Sequence, residues 1–127
     1  MTFLVYIFSF LALISIIVFI HELGHFSFAR LFGVRVLDFS IGFGKSIKSW
    51  ETKSKTVFNL RLLPFGGYVK MNGEEISDKS QSDDSYASKK YYQKLLITLG
   101  GPIFNFILAI VIFFTINLFG IYKIMPI

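Results

Sequence analysis

The sequence predicts a mainly α-helical membrane protein in which two transmembrane helices flank a short β-hairpin region. Its 127 residues are 54% apolar, and no charged side chain occurs in residues 1–20 or 95–122. Each of these stretches is long enough for a helix to cross the roughly 30 Å hydrocarbon core of a bilayer. The sequence between them mixes alternating apolar residues with Gly and Pro, which is typical of strands and turns. A chain of this length forms one domain at most, and the absence of Cys excludes disulfides and thiolate ligands.

The first predicted span, residues 1–32, begins with an apolar run of 18 residues from Phe3 to Ile20. A cleaved secretory signal is the alternative, and it would start with basic residues and end with small residues at a cleavage site. Only Met1 and Thr2 precede this run, which continues directly into the polar motif at His21. We therefore interpret residues 1–32 as a transmembrane helix.

The second predicted span covers residues 101–122 and follows the triplet Gly100-Gly101-Pro102. Pro suits the first turn of a helix and kinks a helix interior, so the triplet predicts a start or a kink there. Residues 88–100 precede it as a predicted interfacial helix whose aromatic residues lie near the membrane surface. Asn105 and Asn117 need hydrogen-bond partners inside the span.

The region between the spans divides into a β part, residues 33–71, and a polar linker, residues 72–87. Alternation of apolar and polar residues predicts the strands, while Ser, Asp, Glu and Lys dominate the linker. The predicted β elements are a strand at Val34–Phe43, hairpin strands at Ser46–Trp50 and Thr56–Leu63, and a break at Pro64–Gly67.

The basic residues indicate the orientation of the chain in the membrane. Of the 13 Lys and Arg residues, 12 lie between the two uncharged stretches, from Arg30 to Lys94. Because basic loops stay on the cytoplasmic side, we expect residues 33–94 in the cytoplasm and both ends of the chain outside. The same loop carries most of the acidic residues, which argues against nucleic acid as a partner.

The sequence His21-Glu22-Leu23-Gly24-His25 indicates a metal site. Residues i and i+4 share one face of a helix, so both imidazoles can reach one zinc ion. A glutamate beside the first His is suited to take a proton from a zinc-activated water. Such a short motif also occurs by chance on solvent-exposed helices. Here it directly follows a membrane span, where an ionisable cluster is costly and indicates function.

A third protein ligand, which catalytic zinc usually has, is not evident in the sequence. Asp38 is the nearest downstream acid, but it lies within a predicted strand. The remaining acidic residues lie in the hairpin turn or the polar linker, and none lies on a second rigid helix facing the first. This leaves open a non-catalytic two-span protein that binds or regulates a partner. A proton-coupled transporter ranks last, because the second span holds no charged residue.

Four motifs in order give the chain a family resemblance. They are the HELGH motif, Phe39–Lys45 (FSIGFGK), Pro64–Met71 (PFGGYVKM) and Gly101–Phe106 (GPIFNF). The chain resembles the site-2 protease family of intramembrane zinc metalloproteases, in particular the bacterial regulator of sigma-E protease branch. The resemblance covers nearly the whole chain.

The resemblance implies a role for each matching residue. His21 and His25 would bind zinc, and Glu22 would be the general base. The β region would be a membrane-reentrant element beside the active site, which binds an unwound substrate segment by strand addition. The substrate-binding residues implied in this way are Gly42, Gly44, Gly66, Gly67, Pro102 and Asn105.

The resemblance also implies features that these 127 residues lack. The family places its third zinc ligand, an Asp, on a later transmembrane helix, and this branch carries PDZ domains before that helix. We therefore expect an N-terminal part of a longer bacterial inner-membrane protease, inactive alone. Its expected substrates are transmembrane proteins such as anti-sigma factors, and membrane lipid surrounds it.

Overall fold

The computed structural model describes residues 1–73 and 83–120. Helix α1 spans Thr2–Leu31, and strands β1 (Val36–Glu51) and β2 (Val57–Met71) follow it. A 3-10 turn at Tyr86–Ser88 leads into helix α2, Tyr91–Leu118. Two long apolar helices therefore flank a β-sheet region, as the sequence predicts.

Both helices have the length and composition of membrane-spanning segments. At 1.5 Å per residue, the 30 residues of α1 and the 28 residues of α2 each exceed the roughly 30 Å hydrocarbon core. Each contains a strongly apolar stretch of 18 residues with at most two charged side chains. Large apolar side chains such as Phe8 and Phe113 are about 70% exposed. Such surfaces are consistent with a membrane protein.

Helix α2 runs without a break from Tyr91 through Pro102, so the predicted division at residue 100 into two helices is not observed. The helix begins where the side chain of Gln93 accepts a hydrogen bond from the backbone N–H of Lys90 at 3.0 Å. Pro102 removes only one N–H from the helical ladder, and a packed apolar helix tolerates that loss. The triplet Gly100-Gly101-Pro102 therefore lies inside the helix.

The two strands form one long antiparallel hairpin. Pairing runs from Val36 opposite Met71, through Phe43 opposite Leu63, to Glu51 opposite Val57. The predicted strand at Val34–Phe43 and the first hairpin strand are thus joined in β1. The predicted break at Pro64–Gly67 is wrong, because β2 continues through it. The pairing register of the two strands shifts between Ile41 and Lys48, as it does at a β-bulge.

The hairpin bends sharply at its middle, so that the first half of β1 has two neighbours. Phe39 lies opposite both Val69 and Phe58. At the bend Gly42 and Gly66 have φ values of 86° and 75°, which L side chains rarely adopt. A methyl group on Gly66 would also overlap the ring of Phe43. The glycines implied in substrate binding therefore also have a structural role.

The core lies where the helices meet the ends of the hairpin. It consists of Ala29, Val34, Val36, Met71 and Ile97, with exposures between 0 and 7%. The ends of the predicted linker join this core region, since the amide of Asn72 donates to Asp84 at 3.0 Å. The centre of the linker, residues 74–82, lies outside the described residues.

Candidate metal centre

The imidazoles of His21 and His25 lie side by side on α1, one turn apart. Their ring centroids are 4.8 Å apart and the ring planes meet at 80°. Both residues are half-buried against α2. An edge-to-face pair of imidazoles on one helix face is an arrangement that can present two nitrogens to one ion.

The two helices touch at glycines beside these histidines. The carbonyl oxygen of Gly24 would lie 2.6 Å from a methyl group added to Gly100, and a methyl on Gly24 would overlap the carbonyl of Gly100. Both glycines are buried. Small residues let helix backbones approach this closely. The crossing therefore fixes the distance between the motif and α2.

Gly101 leaves room for the Nε2 atoms of both histidines. A methyl group at this position would lie 2.6 Å from Nε2 of His21 and 2.6 Å from Nε2 of His25. The two nitrogens therefore face one small volume and are no more than twice that distance apart. Any side chain at residue 101 would occupy the space between them.

The other nitrogen of each imidazole contacts α2. Nδ1 of His25 donates to the backbone carbonyl of Ile97 at 2.8 Å. Nδ1 of His21 lies 2.9 Å from the side-chain amide of Asn105. Outer partners of this kind orient metal-binding histidines and fix their tautomers. With both Nδ1 atoms engaged, both Nε2 atoms face Gly101.

Glu22 lines a cavity of about 440 Å³ next to His25. One wall comes from the last segment of β2, and the opposite wall comes from the start of α2 and the 3-10 turn. The remaining lining residues are Tyr68, Val69, Met71, Tyr86, Ile97 and Thr98.

The donors present suit zinc, since neutral imidazole is a preferred zinc ligand. Within residues 1–73 and 83–120, no group of three or more His, Cys, Asp or Glu side chains could hold an ion. Asp38 is engaged elsewhere: its carboxylate accepts from Ser40 at 2.8 Å and from Asn59 at 2.8 Å. Among the described residues, His21 and His25 are therefore the two candidate ligands.

The residues with an implied substrate role lie in different places. Gly67 packs against α1, where a methyl group would lie 3.5 Å from Val18. Gly42, Gly44 and Gly66 form the hairpin bend and do not line the cavity beside Glu22. Asn105 contacts His21, one turn after Pro102.

Sequence reasoning missed Ile97, whose carbonyl orients His25, and the crossing at Gly24 and Gly100. The Gly-Gly pair within an apolar helix is the sequence signal from which this close contact could have been predicted. A backbone carbonyl leaves no signal in the sequence.

Comparison with known proteins identifies a protein family over nearly the whole chain. The model of peptidase family M50 matches residues 9–124. A Helicobacter pylori protein named "Putative zinc metalloprotease" is 45% identical over 118 residues, which cover 91% of this chain and 34% of that protein. A Thermotoga maritima protein of the same name is 43% identical, covering 86% and 22% of the two chains.

The regulator of sigma E protease of Haemophilus influenzae is 39% identical over 129 residues, which cover all of this chain and 29% of that protein. The chain thus spans about a third or less of the length of the curated relatives it matches. The family match covers far more than half of the present sequence and includes both histidines, Glu22 and the Gly101–Asn105 segment. The chain belongs to peptidase family M50, the site-2 protease family.

Proposed function

We propose that His21, Glu22 and His25 form part of the active site of an intramembrane zinc metalloprotease. His21 and His25 provide two zinc ligands through Nε2, and a group outside the described residues provides the third. The observation that carries the proposal is the convergence of both Nε2 atoms on the space at Gly101, where an added methyl group would lie 2.6 Å from each of them. Family membership and the names of the relatives support it.

Glu22 is the proposed general base. Zinc, when bound, supplies a Lewis acid that polarises a carbonyl and makes water more acidic. The Glu22 carboxylate lies on the wall of the cavity next to His25, where it takes a proton from the attacking water and passes it to the leaving amine. These are the two proton transfers that hydrolysis of a peptide bond needs.

The proposed substrate is a transmembrane segment of another membrane protein, such as an anti-sigma factor. Gly67 to Met71 of β2 pair only with the first half of β1 in the described part of the chain. Three residues of this segment line the cavity beside Glu22. An extended peptide that adds to such an edge gains backbone hydrogen bonds and becomes accessible to cleavage.

The proposed location is the bacterial cytoplasmic membrane, with residues 33–94 on the cytoplasmic side and residues 1 and 127 outside. The basic loop between two apolar helices supports this orientation. The hairpin packs against the end of α1 that carries the motif, where the rings of Phe26 and Phe39 are 5.5 Å apart. This contact supports a reentrant β element near the inner membrane surface. Irregular backbone at that depth requires protein or a wet cavity around it.

The test uses the complete open reading frame that contains these residues, purified in detergent with a single-span substrate. Glu22→Gln is expected to bind zinc at the wild-type stoichiometry and to lose cleavage, because the amide cannot accept the proton. Glu51→Gln, at an exposed position in β1, is the matched control and is expected to cleave normally. Cleavage by Glu22→Gln at the wild-type rate would overturn the role of Glu22. Zinc binding without cleavage of any transmembrane substrate by the wild type would favour a non-catalytic two-span protein.

A further inference from the structure

We infer that Asn105 is a positioning residue for His21: its side-chain carbonyl accepts the Nδ1 proton and leaves the Nε2 lone pair free for the metal. The contact spans the crossing of α1 and α2: the side-chain nitrogen of Asn105 is placed 2.9 Å from Nδ1, and turning the amide over puts its oxygen at that position. Because the role concerns His21 as a zinc ligand, it rests on the proposed function. The hydrogen bond itself is open to a test without zinc.

His25 provides the reference, because its tautomer is fixed by a backbone group. The carbonyl oxygen of Ile97 accepts hydrogen bonds and cannot donate, so Nδ1 of His25 carries the proton. A neutral imidazole has one donor nitrogen and one acceptor nitrogen. Nε2 of His25 is therefore the acceptor, and its lone pair faces the space at Gly101.

The amide of Asn105 is able to donate or to accept a hydrogen bond, so its orientation decides which ring nitrogen of His21 carries the proton. If the amide nitrogen donates to Nδ1, the proton of His21 moves to Nε2, and the second metal-facing nitrogen has no lone pair. If the carbonyl oxygen faces the ring, Nδ1 carries the proton and both Nε2 atoms are acceptors. The two ends of an amide are alike in size, so hydrogen bonding assigns them.

The oxygen of Asn105 is buried, and within residues 1–73 and 83–120 it has no hydrogen-bond partner where the nitrogen faces the ring. Turning the amide over places this oxygen on Nδ1 of His21, where it accepts a hydrogen bond. Only that orientation also gives two lone pairs at Gly101, because it puts the proton of His21 on Nδ1. In that orientation His21 and His25 have the same tautomer, with the proton on Nδ1.

Asn117 on the same helix supplies a matched control. Its amide nitrogen donates to the carbonyl of Phe113 at 2.8 Å, within α2. Asn117→Leu removes the same chemical group from the same helix without touching a histidine. Asn105→Leu removes the contact with His21, and Asn105→Asp keeps an acceptor that cannot donate.

The first test is nitrogen NMR of the metal-free 127-residue chain with labelled histidine. The chain has two histidines, and His21→Gln assigns them. We expect the proton on Nδ1 of both rings in the wild type and in Asn117→Leu. In Asn105→Leu, His21 is expected to gain the Nε2-protonated form while the His25 signals stay unchanged, which also shows that the fold is intact. A wild-type His21 protonated on Nε2, or a His21 unaffected by Asn105→Leu, would overturn the inference.

The second test is zinc affinity of the complete open reading frame, measured against a chelator. Asn105→Leu is expected to weaken zinc binding about 10- to 100-fold, the usual cost of removing an outer partner. Asn105→Asp is expected to restore most of the affinity, and Asn117→Leu to leave it unchanged. Equal affinity in Asn105→Leu and the wild type would exclude the positioning role. A wild type that binds no zinc would instead overturn the proposed function, while the NMR measurement still decides the hydrogen bond.

Discussion

The carbonyl oxygen of Gly24 on α1 faces Gly100 on α2 so closely that a methyl group on Gly100 would lie 2.6 Å from it. This contact joins the helix that carries the HELGH motif to the helix that orients both imidazoles. The same contact puts Gly101 next to the two Nε2 atoms. The neighbouring glycines of α2 therefore have different roles. Gly100 allows the helices to pack, and Gly101 leaves space at Nε2 of both histidines.

Gly100→Ala is expected to destabilise the helix pair. The added methyl would also lie 2.7 Å from the ring of Phe28. Overpacking of this kind costs about 1–3 kcal/mol, more than the gain of about 1 kcal/mol in helix propensity from Gly to Ala. Thermal unfolding of the purified chain in detergent measures the change. An unchanged unfolding temperature would mean that the helices do not touch at this point.

Gly101→Ala is expected to weaken zinc binding, with a smaller effect on unfolding than Gly100→Ala has. Its methyl meets two imidazole rings, which can turn away, rather than a backbone carbonyl. Turning the rings breaks the convergence of Nε2, so zinc affinity is expected to fall at least about tenfold. Chelator competition on the complete open reading frame measures it, with Gly100→Ala compared in parallel. Normal zinc affinity in Gly101→Ala would contradict the geometry described at this site.

Gly66→Ala is expected to destabilise the bend of the hairpin more than Gly44→Ala does. Both glycines have positive φ, 75° and 87°, so both variants incur backbone strain of about 1–2 kcal/mol. Only Gly66 has the ring of Phe43 in the way, whereas a methyl on Gly44 meets Leu63 at ordinary contact distance, 3.7 Å. The difference in unfolding free energy between the variants isolates the clash.

Phe43→Ala in the Gly66→Ala background tests the cause of that difference. Removal of the ring is expected to bring the unfolding free energy toward that of Gly44→Ala, after correction for Phe43→Ala alone. Additive effects of the two substitutions would show that Gly66 and Phe43 are not in contact.

Asp38→Ala is expected to weaken the polar network inside the bent hairpin. The carboxylate accepts from Ser40, which is fully buried, and from Asn59, which is 8% exposed. Loss of a shared acceptor for buried donors costs about 1–3 kcal/mol. Glu51→Ala, at an exposed position at the end of β1, is the control, with an expected change within about 0.5 kcal/mol. Equal unfolding free energies for the two variants would contradict the network.

Much of the fold is predictable because the strongest signals are local. Uncharged stretches and i, i+4 histidines predict the two helices and the shared face of His21 and His25. Elements that depend on distant contacts are harder to predict. Pro64–Gly67 has the composition of a break, yet β2 continues there because Gly66 accommodates the bend. Pro102 has the character of a helix start, yet α2 continues through it.

The candidate site is predictable to a similar extent. The side chains proposed to act on the metal lie in one motif, so the sequence identifies them. The contacts that orient them come from α2, more than 70 residues later: Ile97 acts through its backbone, and Asn105 was expected to bind substrate. No local pattern predicts which face of α2 meets the motif, since that depends on the crossing at Gly24 and Gly100.

Zinc stoichiometry of the complete open reading frame tests the central claim most directly. The wild type is expected to bind one zinc per chain, and His21→Gln and His25→Gln are each expected to bind much less, because each removes one of the two converging Nε2 atoms. Asn117→Leu is the control and is expected to retain one zinc. Equal zinc content in the wild type and both histidine variants would contradict the account.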